Sequence, residues 1–120
     1  MTFIGLDHAM LAMPPGGDDQ ARAFYRDVLG LEEIEKPEPL RAAGGLWLQA
    51  GSAQLHLGPE EGFRAGKRAH PALRVDDIDA VAARCSAAGC PVEWDDRYPG
   101  VRRFYLRDPF GNRIEILQPD

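Results

Sequence analysis

The sequence predicts an α+β fold built from two βαβββ modules, which form a curved mixed sheet around a cleft. Three observations lead there. Apolar residues recur with helical spacing in two stretches, short strand-like stretches flank each of them, and the order found in residues 3–58 returns in residues 69–118.

The first module opens on Gly5 to Ala12, which is extended and apolar. Asp18 is placed to cap a helix whose apolar stripe is Ala21, Phe24, Tyr25 and Val28, and Gly30 stops it. Strands are then predicted over Leu31 to Glu35, Leu46 to Gln49 and Gln54 to Gly58, separated by the Pro37/Pro39 segment and the Ala50-Gly51-Ser52 turn. In the second module Ala69 to Val75 is the opening strand. Asp76 is expected to cap a helix carrying Ile78, Val81, Ala82 and Cys85 on one side, with Gly89 at its end. Val92 to Asp95, Arg102 to Arg107 and Arg113 to Leu117 complete the module, the last two joined by the turn from Asp108 to Asn112. Residues 59–68, charged and glycine-rich, link the modules.

With 120 residues and 44% hydrophobic content the chain is expected to form a single domain over residues 1–120. A formal charge of -5 argues against a nucleic-acid partner, since phosphate backbones need a basic surface. No apolar run approaches the roughly 20 residues of a membrane span, and the N-terminus lacks a basic, then apolar, leader. A soluble, cytoplasmic protein without a membrane partner is therefore expected. Cys85 and Cys90 are the only cysteines, and reduced thiols fit them better than a disulfide framework.

The repeat carries a chemical prediction of its own. His8 and His70 fall in the opening strands of the two copies, and His56 and Glu115 in their closing strands; these include every histidine of the chain. Side chains alternate across a strand, so Leu55 and Leu57 turn His56 away from the helix-packed face, and Ile114 and Ile116 do the same for Glu115. Any one of these residues alone reads more plainly as a solvated or hydrogen-bonded strand residue. Their joint placement at equivalent repeat positions points to a site for one divalent metal ion, with His8, His56, His70 and Glu115 as ligands and Fe, Mn, Co, Ni or Zn as the candidates. Glu115 is the sole anion of that set. Arg103 and Tyr105 share a strand face and are placed to hold an acidic or phenolic substrate group, so Glu115, Tyr105 and Arg103 are the candidate catalytic residues. Trp47 and Trp94 are candidates for an apolar wall, or for core or interface.

The segments Gly5-Leu6-Asp7-His8, Ala23 to Leu31, His70 to Asp79 and Phe104 to Glu115 carry a family resemblance covering nearly the whole chain. The sequence resembles the vicinal oxygen chelate superfamily, which includes glyoxalase I, extradiol dioxygenases, fosfomycin-resistance thiol transferases and bleomycin-binding proteins. His8, His70 and Glu115 match the positions that this family most often uses for metal, whereas His56 stands where glyoxalase I places a glutamate. Tyr105 falls where the fosfomycin transferases keep a substrate-facing tyrosine, without their serine and lysine neighbours. The resemblance implies a metal-dependent lyase, isomerase or thiol transferase acting on a small molecule with vicinal oxygens. A ring-cleaving dioxygenase and a non-enzymatic binding or sequestering protein are its alternatives. It also implies a homodimer, which the open edge of each half-sheet favours.

Overall fold

The computed structural model describes residues 1–120. It divides into two compact units, Met1–Arg64 and Ala65–Asp120, with the division inside the segment 59–68. Each unit has its own four-stranded mixed sheet and the βαβββ order. No helix is long and apolar enough to cross a membrane.

The first unit runs β1 (His8–Met13), α1 (Asp18–Arg22), β2 (Glu32–Ile34), α2 (Glu38–Arg41), β3 (Leu46–Ala50) and β4 (Ala53–Pro59). Its sheet order is β1-β4-β3-β2, with β1 parallel to β4 and the other pairs antiparallel. Helix α1 continues directly into a π-helical stretch over Ala23–Val28, where Leu29 N donates to Phe24 O at 2.9 Å. Ala21, Phe24 and Tyr25 are buried, as are Met13, Leu46, Leu48, Leu55 and Leu57 of the sheet. Val28, expected in the same stripe, is only half-buried, because the wider turn carries it off the core face.

Asp18 is not the helix cap that the sequence suggested. Gly17 holds that position with no side-chain cap bond, and the Asp18 carboxylate instead accepts from Gly45 N at 3.1 Å, at the entry to β3. Gly45 has φ +87°, and a Cβ there would sit 2.1 Å from the Leu57 carbonyl oxygen, so only glycine lets the chain enter β3 this close to β4. The turn α2 was not expected either; Pro39 stands in its first turn, where a missing N–H costs nothing.

The second unit runs β5 (Ala72–Arg74), α3 (Ile78–Ala87), β6 (Glu93–Asp95), β7 (Val101–Arg107) and β8 (Arg113–Pro119), in the sheet order β5-β8-β7-β6. The cap of α3 is Asp77 rather than the predicted Asp76: its side chain accepts from Ala80 N at 3.1 Å. The Asp76 carbonyl accepts from Gln118 Nε2, while Gln118 Oε1 accepts from Ile78 N, so β8 clamps the helix start. The helix ends in a Schellman motif, with Cys90 N donating to Cys85 O and Gly89 N to Ser86 O. Ile78, Ala82 and Cys85 are buried against one face of the sheet, with Phe104, Leu106, Ile114 and Ile116. Both cysteines are free thiols, and burial pushes Cys85 up from its ordinary value.

Candidate metal centre

The helix-packed face of each sheet takes one alternation of its strands and leaves the other alternation for chemistry. In the first unit, register pairs Met10 and Trp47 with His56 on its two sides, and His8 with Gln54. His56 is buried, because β4 is an interior strand and neighbouring rings stack on its own. The His8 ring stacks on it with centroids 4.2 Å apart, and the Trp47 ring, nearly parallel to it, at 4.1 Å. Sequence alternation had placed His56 away from the helix side, which holds, but not its burial.

The hydrogen bonds leave one bare nitrogen on each ring. Asp7 Oδ2 accepts from His8 Nδ1 at 2.8 Å, which frees His8 Nε2. Gln54 Oε1 accepts from His56 Nε2 at 2.9 Å, which frees His56 Nδ1. Burial, and then the neighbouring His8, hold the His56 imidazole below its ordinary value, so the ring stays neutral. Beside these rings lies a cavity of about 620 Å³ whose apolar lining includes Met10, Leu40, Trp47 and Pro59, with Lys36 at its rim. That volume is in the range of small-molecule pockets, roughly 300–1,000 Å³.

In the second unit His70 precedes β5 instead of lying in it. Proline has no N–H to give a ladder, so the strand starts after Pro71, whose carbonyl still accepts from Glu115 N at 3.0 Å. The arrangement of His70 is chemically demanding. Its Nδ1 lies 2.7 Å from the Arg68 carbonyl oxygen, which can only accept, so Nδ1 carries a proton. Its Nε2 lies 2.9 Å from Glu115 Oε1, and the Glu115 side chain is only 5% exposed. A neutral ring would set a bare lone pair against a buried carboxylate. The contact therefore needs a proton between the two groups, on the ring or on the carboxyl, or a cation shared by them.

Arg103 and Tyr105 do lie on the Glu115 face. Arg103 is already engaged: Nη1 reaches Glu115 Oε2 at 3.4 Å and Nη2 reaches Asp95 Oδ1 at 3.1 Å. Sequence reasoning missed Asp95, which stands opposite Arg103 in the β6–β7 register. Hydrogen bonds from Arg97, side chain and then backbone, with a further one from Arg103, hold the Asp95 carboxyl far below the usual carboxylate range. Tyr105 is buried, with the Arg113 guanidinium 4.0 Å from its ring centroid and the His70 ring edge-on at 5.4 Å. Trp94 packs edge-on to Phe104 and stays 46% exposed, so it walls no site with His70 or Glu115.

No three His, Cys, Asp or Glu side chains of the chain stand together as a metal-binding group; His8 and His56 are neighbours in the first unit, and His70 and Glu115 in the second. The donor chemistry of the pairs fits a divalent ion of the borderline type. In the first unit the far nitrogen of His8 is tied to an oxygen acceptor, the usual way a metal-ligating histidine is oriented; in the second the same holds for His70, and Glu115 adds a buried carboxyl group.

Comparison with known proteins agrees with the topology. Residues 5–116 match the sequence profile of the Glyoxalase/Bleomycin resistance protein/Dioxygenase superfamily, and the chain belongs to that family. A glyoxalase family protein from Bacillus anthracis is 43% identical in sequence, with a TM-score of 0.97 over 100% of this chain and 98% of that one. A lactoylglutathione lyase from Agrobacterium tumefaciens is 29% identical, with a TM-score of 0.73 over 95% of this chain and 92% of its own. An antibiotic-binding protein from a Streptomyces species is 25% identical, with a TM-score of 0.76 over 100% of this chain and 99% of that one. No curated protein sequence matches the chain.

Proposed function

We propose that this chain is a divalent-metal-dependent enzyme of the glyoxalase type, a lyase, isomerase or thiol transferase acting on a small molecule with two neighbouring oxygens. His8, His56, His70 and Glu115 are the proposed metal donors. The observation that carries the reading is the His70–Glu115 contact, in which a buried carboxylate faces a ring nitrogen whose partner nitrogen is already committed as a donor. A bound divalent ion would act as a Lewis acid, stabilising charge that develops on the substrate oxygens. The chain's own residues orient and shield. Asp7 and the Arg68 carbonyl orient the rings of His8 and His70, and Arg103 reaches the second oxygen of Glu115. The cavity beside His56 offers apolar walls to the rest of the substrate.

The test is metal analysis of the purified protein, then separate incubations with the methylglyoxal–glutathione adduct, catechols and fosfomycin. About one divalent ion per chain and turnover of one of these support the proposal. Protein that takes up no divalent ion contradicts it. A second reading, a binding protein without turnover, is favoured by the apolar lining of the first unit's cavity and by the likeness to an antibiotic-binding protein. Tight binding of an apolar ligand to metal-free protein would select it.

A further inference from the structure

The face of β7 and β8 that carries Tyr105 and Glu115 contains a feature that the proposed metal donors do not explain. Arg107 and Arg113 stand directly opposite each other in the register of that strand pair, and both line a cavity of about 390 Å³ together with Tyr105, Glu93 and Leu106. Like charges directly opposite on one face of a sheet oppose pairing unless something neutralises them. No carboxylate does so here. Arg107 Nη1 is held by the Gly111 carbonyl at 3.1 Å and the Gly66 carbonyl at 3.5 Å, neutral acceptors that position it without cancelling its charge. The Arg113 side chain is half-buried and makes neither a hydrogen bond nor an ion pair; its guanidinium lies over the Tyr105 ring, 4.0 Å from the centroid. Contact with a ring face engages the plane of a guanidinium and leaves its N–H donors available as a fork that matches two oxygens of one anion. Other arginines of this unit differ: Arg97, Arg102 and Arg103 each hold an aspartate. Glu93, on the edge strand β6, is exposed and bonds to neither arginine.

We infer that Arg113, with Arg107 opposite it, binds the anionic end of a small molecule, a carboxylate or a phosphonate, on the sheet face that carries Glu115. Strand alternation puts Arg113 two residues from Glu115 on that face, so a ligand held by its anion at Arg113 extends toward the carboxylate. Tyr105 has a positioning role, since the guanidinium lies over its ring. Anion binding itself needs no metal; its assignment as the acidic end of the substrate rests on the metal-centre reading.

The experiment is calorimetric titration of the full chain, as purified and after EDTA treatment, with phenylphosphonate, benzoate and neutral benzamide. Wild type is expected to bind at least one of the two anions in both states, and benzamide in neither. Arg113→Met should weaken that binding by about tenfold or more, and Arg113→Lys, which keeps the charge but loses the fork, by less. Circular dichroism and metal content of both variants should match wild type. Should Arg113→Met fold poorly, Arg113→Lys alone decides the matter. The inference is overturned if wild type binds neither anion, if the folded variants bind as wild type does, or if anion binding disappears with EDTA and is indifferent to Arg113. Protein that holds no metal yet binds the anion through Arg113 leaves this inference standing and removes the metal-centre reading.

Discussion

His70 Nε2 and Glu115 Oε1 lie 2.9 Å apart although they are 45 residues apart in sequence, and the carboxylate is almost wholly buried. Glu115 is the one anion among the proposed donors, so it alone offsets part of the charge that a divalent ion would bring. Glu115→Gln keeps the shape and removes the charge. It should lose metal affinity by more than the roughly tenfold to hundredfold typical of outer-shell changes, while the fold persists. Competition titration against a chelating dye measures it, with circular dichroism as the control for folding. Equal affinity in the variant would show that the coordination is wrong.

Glu33 supplies a test in acid. Arg22 grips its carboxylate twice, Nε to Oε1 at 2.6 Å and Nη2 to Oε2 at 3.0 Å, and those bonds lower its carboxyl from the ordinary 4.5. A folded-state value below the unfolded one means that the stabilisation is complete above the unfolded value and is lost as pH falls through the folded one. Glu33→Gln should therefore be less stable than wild type at neutral pH by about 1 kcal/mol or less, and the gap should close in acid. Urea midpoints at about pH 7 and pH 3 measure it. A gap of constant size would contradict the assignment.

The repeat, both helix positions and the two apolar faces were legible in the sequence because period and alternation are local signals: Leu55 and Leu57, like Ile114 and Ile116, are buried as alternation requires. What was not legible depends on distant partners. Asp18 forgoes its expected cap for Gly45, 27 residues away. The burial of His56 comes from Trp47 on a neighbouring strand, and the engagement of Arg103 comes from Asp95 across the β6–β7 pair. Of the candidate site, the faces of His56, Glu115, Arg103 and Tyr105 followed from alternation. Arg113, on the same face as Glu115 by that rule, was there to be read but carries no motif of its own.

Association is the next expectation. Phe3 and Ile4 are 95% and 99% exposed, Leu6 and Met10 are also open, and β1 is an edge strand of its sheet. Exposed apolar side chains along an unpaired edge favour a second copy of the chain. Light scattering should give a dimer mass, and Phe3→Asp with Ile4→Asp should shift it toward the monomer. A monomer mass that does not change with concentration would contradict this.

The ligand count turns on His56. Its ring stacks with those of His8 and Trp47, and Gln54 occupies Nε2, so only Nδ1 remains to bind. The lowered proton affinity of the buried ring keeps that nitrogen unprotonated at neutral pH, as a metal ligand must be. If His56 binds, four protein donors leave two positions on an octahedral ion, which suits two neighbouring substrate oxygens and the lyase or isomerase reading. If it does not, His8, His70 and Glu115 leave three positions open, the arrangement of non-heme Fe(II) oxygenases, and ring cleavage gains. A metal-bound crystal structure is expected to place Nδ1 about 2.1 Å from the ion. A separation beyond roughly 3 Å with water between would reduce the site to three donors. His56→Ala gives the same answer in solution. Loss of affinity near that of His8→Ala marks a ligand, whereas retained metal with an altered ligand profile marks a wall of the cavity.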